Sequence, residues 1–211
     1  MIRGLDHVVL VVLDLDAAVA DHRKRGFTVT PGGEHAGGLT HNALVGFKDG
    51  SYLELIAFHD LAAARGKHSW APVAERGGGW ADFALASSDI QRDVPALKEL
   101  VARPPEDGGR TRPDGVALQW RVARLHRPLP FLIQDLTARE LRVPHGDAAT
   151  HANGTSGVDR IVVGTTDPAL VTARYALLRS RGAPDVEVSA AERDGLLDVR
   201  FRSGSKTVNS M

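Results

Sequence analysis

Three stretches of this chain follow one grammar: a short apolar strand, an aspartate, a helical segment and a glycine. The first is Leu5-Asp6-His7-Val8-Val9-Leu10-Val11-Val12-Leu13-Asp14, then residues 15–25, then Gly26-Phe27. The second is Trp80-Ala81-Asp82-Phe83-Ala84-Leu85-Ala86-Ser87-Ser88-Asp89, then residues 90–102; the third starts at Val158, reaches Asp167 and ends its helix at Gly182. The aligned aspartates Asp14, Asp89 and Asp167 stand 75 and 78 residues apart. A repeat of that length means a duplicated supersecondary unit. Each aspartate is placed to accept the orphan N–H groups that open a helix, Pro168 suits a first helical turn, and Gly26 and Gly182 suit left-handed ends.

In the first unit the helix is followed by strands at 27–30, 40–47 and 51–58, with Pro31-Gly32-Gly33 and Gly37-Gly38 read as loops and a tight turn at Lys48-Asp49-Gly50. The unit is therefore β-α-β-β-β. The second ends with strands at 116–124 and 130–134, its middle strand hidden in a Pro/Gly-rich stretch over 103–115; the third offers strands at 186–190 and 196–202. Three strands after one helix, and no glycine fingerprint between the first strand and helix, disfavour a doubly wound parallel sheet. The expected organisation is α+β: a βαβββ module at 1–58, a linker with a short helix at 59–79, a second module at 80–134, a linker at 135–157 and a partial third βαββ module at 158–211.

Side chains alternate along a strand. His7 shares a face with Val9 and Val11, and Glu54 shares one with Tyr52 and Ile56, so an imidazole and a carboxylate sit mid-strand among apolar neighbours. An unpaired buried charge is costly, so Glu54 needs a metal, a basic partner or a proton. Aligned through the repeat, His7 corresponds to Asp82, and Tyr52-Leu53-Glu54 to Leu132-Ile133-Gln134. Two modules packed edge to edge would converge all four candidates on one concave surface. His41 and Asn42 on the third strand are candidates for lining it, as is one of Trp120 and Arg121. His22, His35, His59, His68, His126, His145 and His151 lie in helix-surface, loop or linker contexts without a pattern.

Leu5-Asp6-His7-Val8-Val9-Leu10, Gly26-Phe27 and Ser51-Tyr52-Leu53-Glu54-Leu55-Ile56-Ala57 together resemble the vicinal oxygen chelate superfamily. Its glyoxalase-like branch is similar also at Thr40-His41-Asn42-Ala43-Leu44, Leu129-Pro130-Phe131-Leu132-Ile133 and His151-Ala152-Asn153-Gly154. The resemblance implies paired modules forming a cupped mixed sheet around a divalent ion (manganese, iron, nickel, zinc or magnesium). It implies His7, Glu54, Asp82 and Gln134 as ligands, with Glu54 alternatively the catalytic base. Such an oxygen-rich set favours manganese, magnesium or iron over zinc and does not match the two-His-one-carboxylate triad of oxygen-activating iron, so the expected chemistry is that of an isomerase or lyase acting on a small oxygenated metabolite. The alternative is a metal-free protein that sequesters a small molecule, as bleomycin-resistance proteins do, although an aromatic content of 5% gives little to stack a planar ligand.

Composition narrows the partners. The 26 basic and 26 acidic residues cancel, a poor footprint for nucleic acid. The 211 residues contain no cysteine, which excludes disulfides, thiolate metal sites and cysteine nucleophiles. The longest apolar run, Val8–Leu13, is too short for a bilayer, and no secretory signal is read, so a cytoplasmic protein without a membrane partner is expected. The third unit is expected to pack against the pair or to complete a module in a homodimer.

Overall fold

The computed structural model describes residues 1–203. The first module consists of β1 (Ile2–Val11), α1 (Leu15–Lys24), β2 (Thr30–His35), β3 (Thr40–Gly46) and β4 (Tyr52–Phe58). Two short helices, α2 (Leu61–Ala64) and α3 (Ala71–Glu75), lead to β5 (Gly79–Ser87), α4 (Ile90–Ala96), β6 (Glu106–Thr111), β7 (Ala117–Ala123) and β8 (Phe131–Asp135). A strap with α5 (Arg139–Arg142) and a 3-10 turn (Gly146–Ala149) precedes β9 (Thr155–Thr165), α6 (Pro168–Arg179), β10 (Glu187–Ala190) and β11 (Gly195–Ser203). The repeated aspartates cap their helices: Ala17 N, Arg92 N and Leu170 N donate to Asp14, Asp89 and Asp167 at 2.9, 3.1 and 3.0 Å.

The eight strands of the two modules close into one barrel in the order β1-β4-β3-β2-β6-β7-β8-β5. Within each module the first and last strands run parallel, His7 beside Tyr52 and Ala84 beside Phe131. The modules join along antiparallel β1 and β5, and again at a short seam where Glu34 pairs with Thr111 and His35 with Arg110. Val9, Val11, Ile56, Val122, Phe131 and Ile133 pack inside with Trp70. Val8, Leu53, Leu55, Phe83, Leu85 and Leu132 form the outer core, which is continuous with Val163, Tyr175, Leu178 and Phe201 of the third unit. That unit is a β10-β9-β11 sheet laid against the barrel, with Phe201 against Trp80 and the Tyr175 hydroxyl donating to Pro128 O at 2.9 Å. The last eight residues of the expected third module, 204–211, lie outside the described residues. Among the described residues no helix is long and apolar enough to cross a membrane.

Two strands differ from the sequence reading, and both are glycine-rich. The second strand begins at Thr30 and runs through the Pro-Gly-Gly segment, and β6 emerges from the Pro/Gly-rich stretch. Their glycines mark close approach. A Cβ on Gly32 would lie 1.9 Å from Asn42 Oδ1, one on Gly33 2.0 Å from Thr111 O, and one on Gly108 2.5 Å from Trp120 Nε1. Glycine here makes room for cavity side chains and the neighbouring strand rather than a turn.

Candidate active site in the barrel

The barrel encloses a cavity of about 250 Å³ lined by His7, His35, Asn42, Tyr52, Glu54, His68, Trp70, Arg110, Trp120, Arg124, Phe131 and Arg142 among others. Strand parity brings His7 and Glu54 inside together, with His7 Nε2 3.6 Å from Glu54 Oε2. The His7 ring stacks on Tyr52 at 4.6 Å and meets the edge of Phe131 at 5.5 Å. On the other Glu54 oxygen, Asn42 Nδ2 donates at 2.6 Å and His35 Nε2 stands at 3.4 Å. Burial alone would raise the Glu54 carboxyl, but the hydrogen bond and charge of His35, the charge of His7 and the Asn42 amide pull it down to about 2. It is an ionised carboxylate.

A bulge fixes the imidazole. Leu5 pairs with Leu85 and His7 with Ala84, leaving Asp6 as the extra residue in β1. Strict alternation would turn Asp6 away from His7; the bulge instead brings Asp6 Oδ1 to 2.6 Å from His7 Nδ1. Asp6 is fully buried. Burial opposes its charge, yet Arg142, the His7 hydrogen bond and the His7 charge hold its carboxyl well below the usual range. An ionised Asp6 accepts the proton of Nδ1, so in the neutral ring Nε2 carries the lone pair facing Glu54. Arg142, 3% exposed, donates through Nη1 to Asp6 Oδ1 at 3.0 Å and to the Tyr52 hydroxyl at 2.7 Å, and through Nη2 to Asp6 Oδ2 at 2.9 Å. It also clasps Asp135, while Arg139 reaches Asp6 and Asp135 from the strap surface.

Asp82 and Gln134 are not drawn to this cavity. Asp82 accepts from Trp70 Nε1 at 3.2 Å and from Phe83 N at 2.9 Å, and it faces separate grooves. Gln134 has the outward parity of Leu132, and its Oε1 accepts from Ile90 N at 2.8 Å where α4 begins. The register explains the correction. Val9 pairs with Glu54, and its equivalent 75 residues on in the second module, Ala84, pairs with Phe131. Phe131, three residues earlier than Gln134, therefore occupies the place equivalent to Glu54. Of the candidates for lining the cavity, Asn42 and Trp120 do so. Arg121 points out and pairs with Asp107 at 2.6 Å. His41 faces away from Asn42's side and stacks on His59 at 4.2 Å.

Two histidines missed in the sequence line the cavity. His35 ends the unforeseen part of β2, and His68 follows α2 in the linker. Burial and the neighbouring Arg124 push the His68 imidazole down to about 4, so it stays neutral. Trp70 N donates to His68 Nδ1 at 3.3 Å, leaving Nε2–H as its donor. No local spacing announces either residue, because each reaches the site by tertiary placement.

The pair His7 Nε2 and Glu54 Oε2 fits a divalent ion. At 3.6 Å the two electron-rich atoms are too far apart for a hydrogen bond, yet close to the span that two ligands about 2.0–2.2 Å from one ion subtend. A carboxylate behind the ligating imidazole is the usual support for such a bond. Among the described residues, one trio has candidate ligand atoms all within 4.8 Å of one another: Glu34, His41 and His59, outside the barrel. There His59 Nε2 already meets Glu34 Oε2 at 2.5 Å and the imidazoles lie nearly parallel, 26° apart, an arrangement in which one ion does not lie in both ring planes.

Paired βαβββ modules around an inner His–carboxylate pair define the vicinal oxygen chelate class. The chain belongs to the glyoxalase-like domain family, whose model matches residues 5–178. No curated protein matches it significantly in sequence. A hypothetical protein from Staphylococcus aureus has a similar fold, with TM-score 0.76 and 13% identity over 96% of this chain and 92% of that one. A methylmalonyl-CoA epimerase in complex with methylmalonyl-CoA and NH4+ gives TM-score 0.50 and 24% identity over 68% of this chain and all of that one. A Streptomyces coelicolor methylmalonyl-CoA epimerase variant in complex with 2-nitronate-propionyl-CoA gives TM-score 0.50 and 24% identity over 65% and 100%.

The electrostatics set a pH dependence for stability. His22, His41, His68 and His151 are all pushed down from 6.5 by burial, His68 to about 4. Between about pH 6.5 and 4 the unfolded chain therefore binds more protons at these sites, and they destabilise the fold as pH falls through that window. Asp6 and Glu54 are likewise held below their usual values, in their case by cationic and hydrogen-bonding partners, so their contribution is present above about pH 4.5 and is lost below it. Calorimetry is expected to show Tm several degrees lower at pH 5 than at pH 7.5, a steeper fall below pH 4, and a smaller first loss in His68→Gln. An unchanged Tm between pH 7.5 and 5 contradicts the burial of these neutral rings.

Proposed function

We propose that this chain is a glyoxalase-like enzyme of the isomerase or lyase type that takes a small oxygenated metabolite into the barrel cavity with the help of a divalent ion. The observation that supports this reading is the Asp6-backed His7 nitrogen facing an ionised Glu54 at 3.6 Å. His7 Nε2 and Glu54 are the residues that would hold the ion, and His35 Nε2, 3.4 Å from Glu54 Oε1, is a candidate third ligand. When bound, the ion would polarise a substrate carbonyl or stabilise an enolate as a Lewis acid.

The protein groups divide the remaining work. Asp6 and Arg142 fix the His7 ring and its tautomer. His68, neutral with Nε2–H free to donate, is suited to a substrate oxygen. Glu54 as base has one requirement: a carboxylate at about 2 is a poor proton acceptor near neutrality, so substrate must displace His35 or Asn42 from it before it accepts a proton.

Metal uptake tests the proposal. Protein loaded with manganese, iron, nickel, zinc or magnesium, desalted and analysed for elements, is expected to retain one equivalent, lost in His7→Ala. Absence of uptake from every ion, or uptake unchanged in His7→Ala, refutes it. The second reading, metal-free sequestration, is favoured by the aromatic wall of Trp70, Trp120 and Phe131, which a 5% aromatic content did not suggest, and it is the outcome if no ion is taken up.

A further inference from the structure

The cavity is oversupplied with hydrogen-bond donors. Its inner carboxylate, Glu54, is already engaged by Asn42 and flanked by His7 and His35. Arg142 is matched by Asp6 and Asp135. Arg110, 5% exposed, donates to Asn42 Oδ1 at 3.2 Å and Arg142 O at 3.1 Å, but its Nε is buried without a partner. Arg124 is less satisfied still. Its Nη1 is buried with no hydrogen bond, and its neighbouring carboxylates, Asp82 and Glu106, stand 3.9 Å away.

Arg124 is nonetheless held in place. Its guanidinium carbon lies 4.8 Å from the Phe131 ring centre and 5.5 Å from that of Trp70. These rings fix the group against the cavity without using its N–H donors. Arg124 also lines a groove of about 450 Å³ that shares His68, Glu106 and Phe131 with the cavity and carries Lys67, Arg103 and Arg127. Its side chain is 26% exposed, so it stands where the two spaces meet. Native proteins leave few buried donors unpaired, and a rigid guanidinium fork matches planar or tetrahedral oxyanions with two parallel bonds.

We infer that Arg124 is an anion-recognition residue, and that the molecule entering the cavity carries an oxyanion, a carboxylate or a phosphate, bound at Arg124 with its reacting oxygens toward His7 and Glu54. The substrate class is thus an acid. This rests on the reading of the cavity as the substrate site, but not on the ion.

The test uses full-length protein stripped of metal by a chelator and desalted, with malonate, inorganic phosphate and neutral malonamide titrated separately by calorimetry and by tryptophan fluorescence. Saturable binding of malonate or phosphate, at least tenfold tighter than malonamide, is expected; the tighter anion identifies the group. Arg124→Met keeps the aliphatic stem beside Phe131 and Trp70 and is expected to weaken that binding at least tenfold, while Arg124→Lys retains part of it. Malonamide binding as well as the anions, neither anion binding, or Arg124→Met matching the parent while folded by circular dichroism overturns the inference. Anion binding that persists in protein unable to take up an ion sinks the metal reading alone.

Discussion

Arg142→Met is expected to cost about 3–5 kcal/mol of stability, the range for removing one partner of a buried ion pair. Methionine fills much of the same space, so the loss isolates charge. Asp6, with no exposed surface, would keep only Arg139 and His7 as partners, and the Tyr52 hydroxyl would lose its donor. For a chain of this size that energy corresponds to a Tm lower by roughly 6–20 °C. Urea denaturation should show a lower midpoint at unchanged slope. Pairing it with Asp6→Asn should give a combined loss well below the sum, because each change removes the same contact. A loss under about 1 kcal/mol would mean that the Asp6 anion is compensated without Arg142.

Glu54→Gln is expected to abolish ion uptake while leaving the fold intact. The side chain keeps its shape and its capacity to accept from Asn42 Nδ2, now 2.6 Å from Glu54 Oε1, so the fold should persist, less the stability that the ionised carboxylate contributes above about pH 4.5. What disappears is the negative charge beside His7 Nε2 and His35 Nε2. Ion affinity should fall by more than the roughly 10–100-fold typical of losing a supporting partner. Competition against a chelator of known affinity measures this directly. A Glu54→Gln protein that binds the ion as tightly as its parent would place the ion elsewhere, and the exterior trio Glu34, His41 and His59 would be the next set to mutate.

Much of the fold was legible because its signals are local. Capping aspartates, strand alternation and a repeat length suffice for the modules and for the shared inner face of His7 and Glu54. What escaped is tertiary. Gly32, Gly33, Gly108 and Gly109 read as loop residues because nothing in the sequence says that Asn42, Thr111, Trp120 and Leu118 press against them. Counting through the repeat aligns Gln134 with Glu54, and only the strand register shows that Phe131 holds that place. His35, His68, Arg110, Arg124 and Arg142 lie on the barrel seam, strand ends, linker and strap, and they meet only after the barrel closes.

The strap after β8 has a consequence for how the duplicated halves relate. Arg142, which follows the second half, supplies the counter-charge to Asp6 in the first, and Asp6 in turn orients His7. The halves are alike in outline but not interchangeable parts. Residues 1–58 made alone would lack the Arg139 and Arg142 cations that Asp6 faces, so the carboxylate behind His7 would lose the partners that keep it ionised.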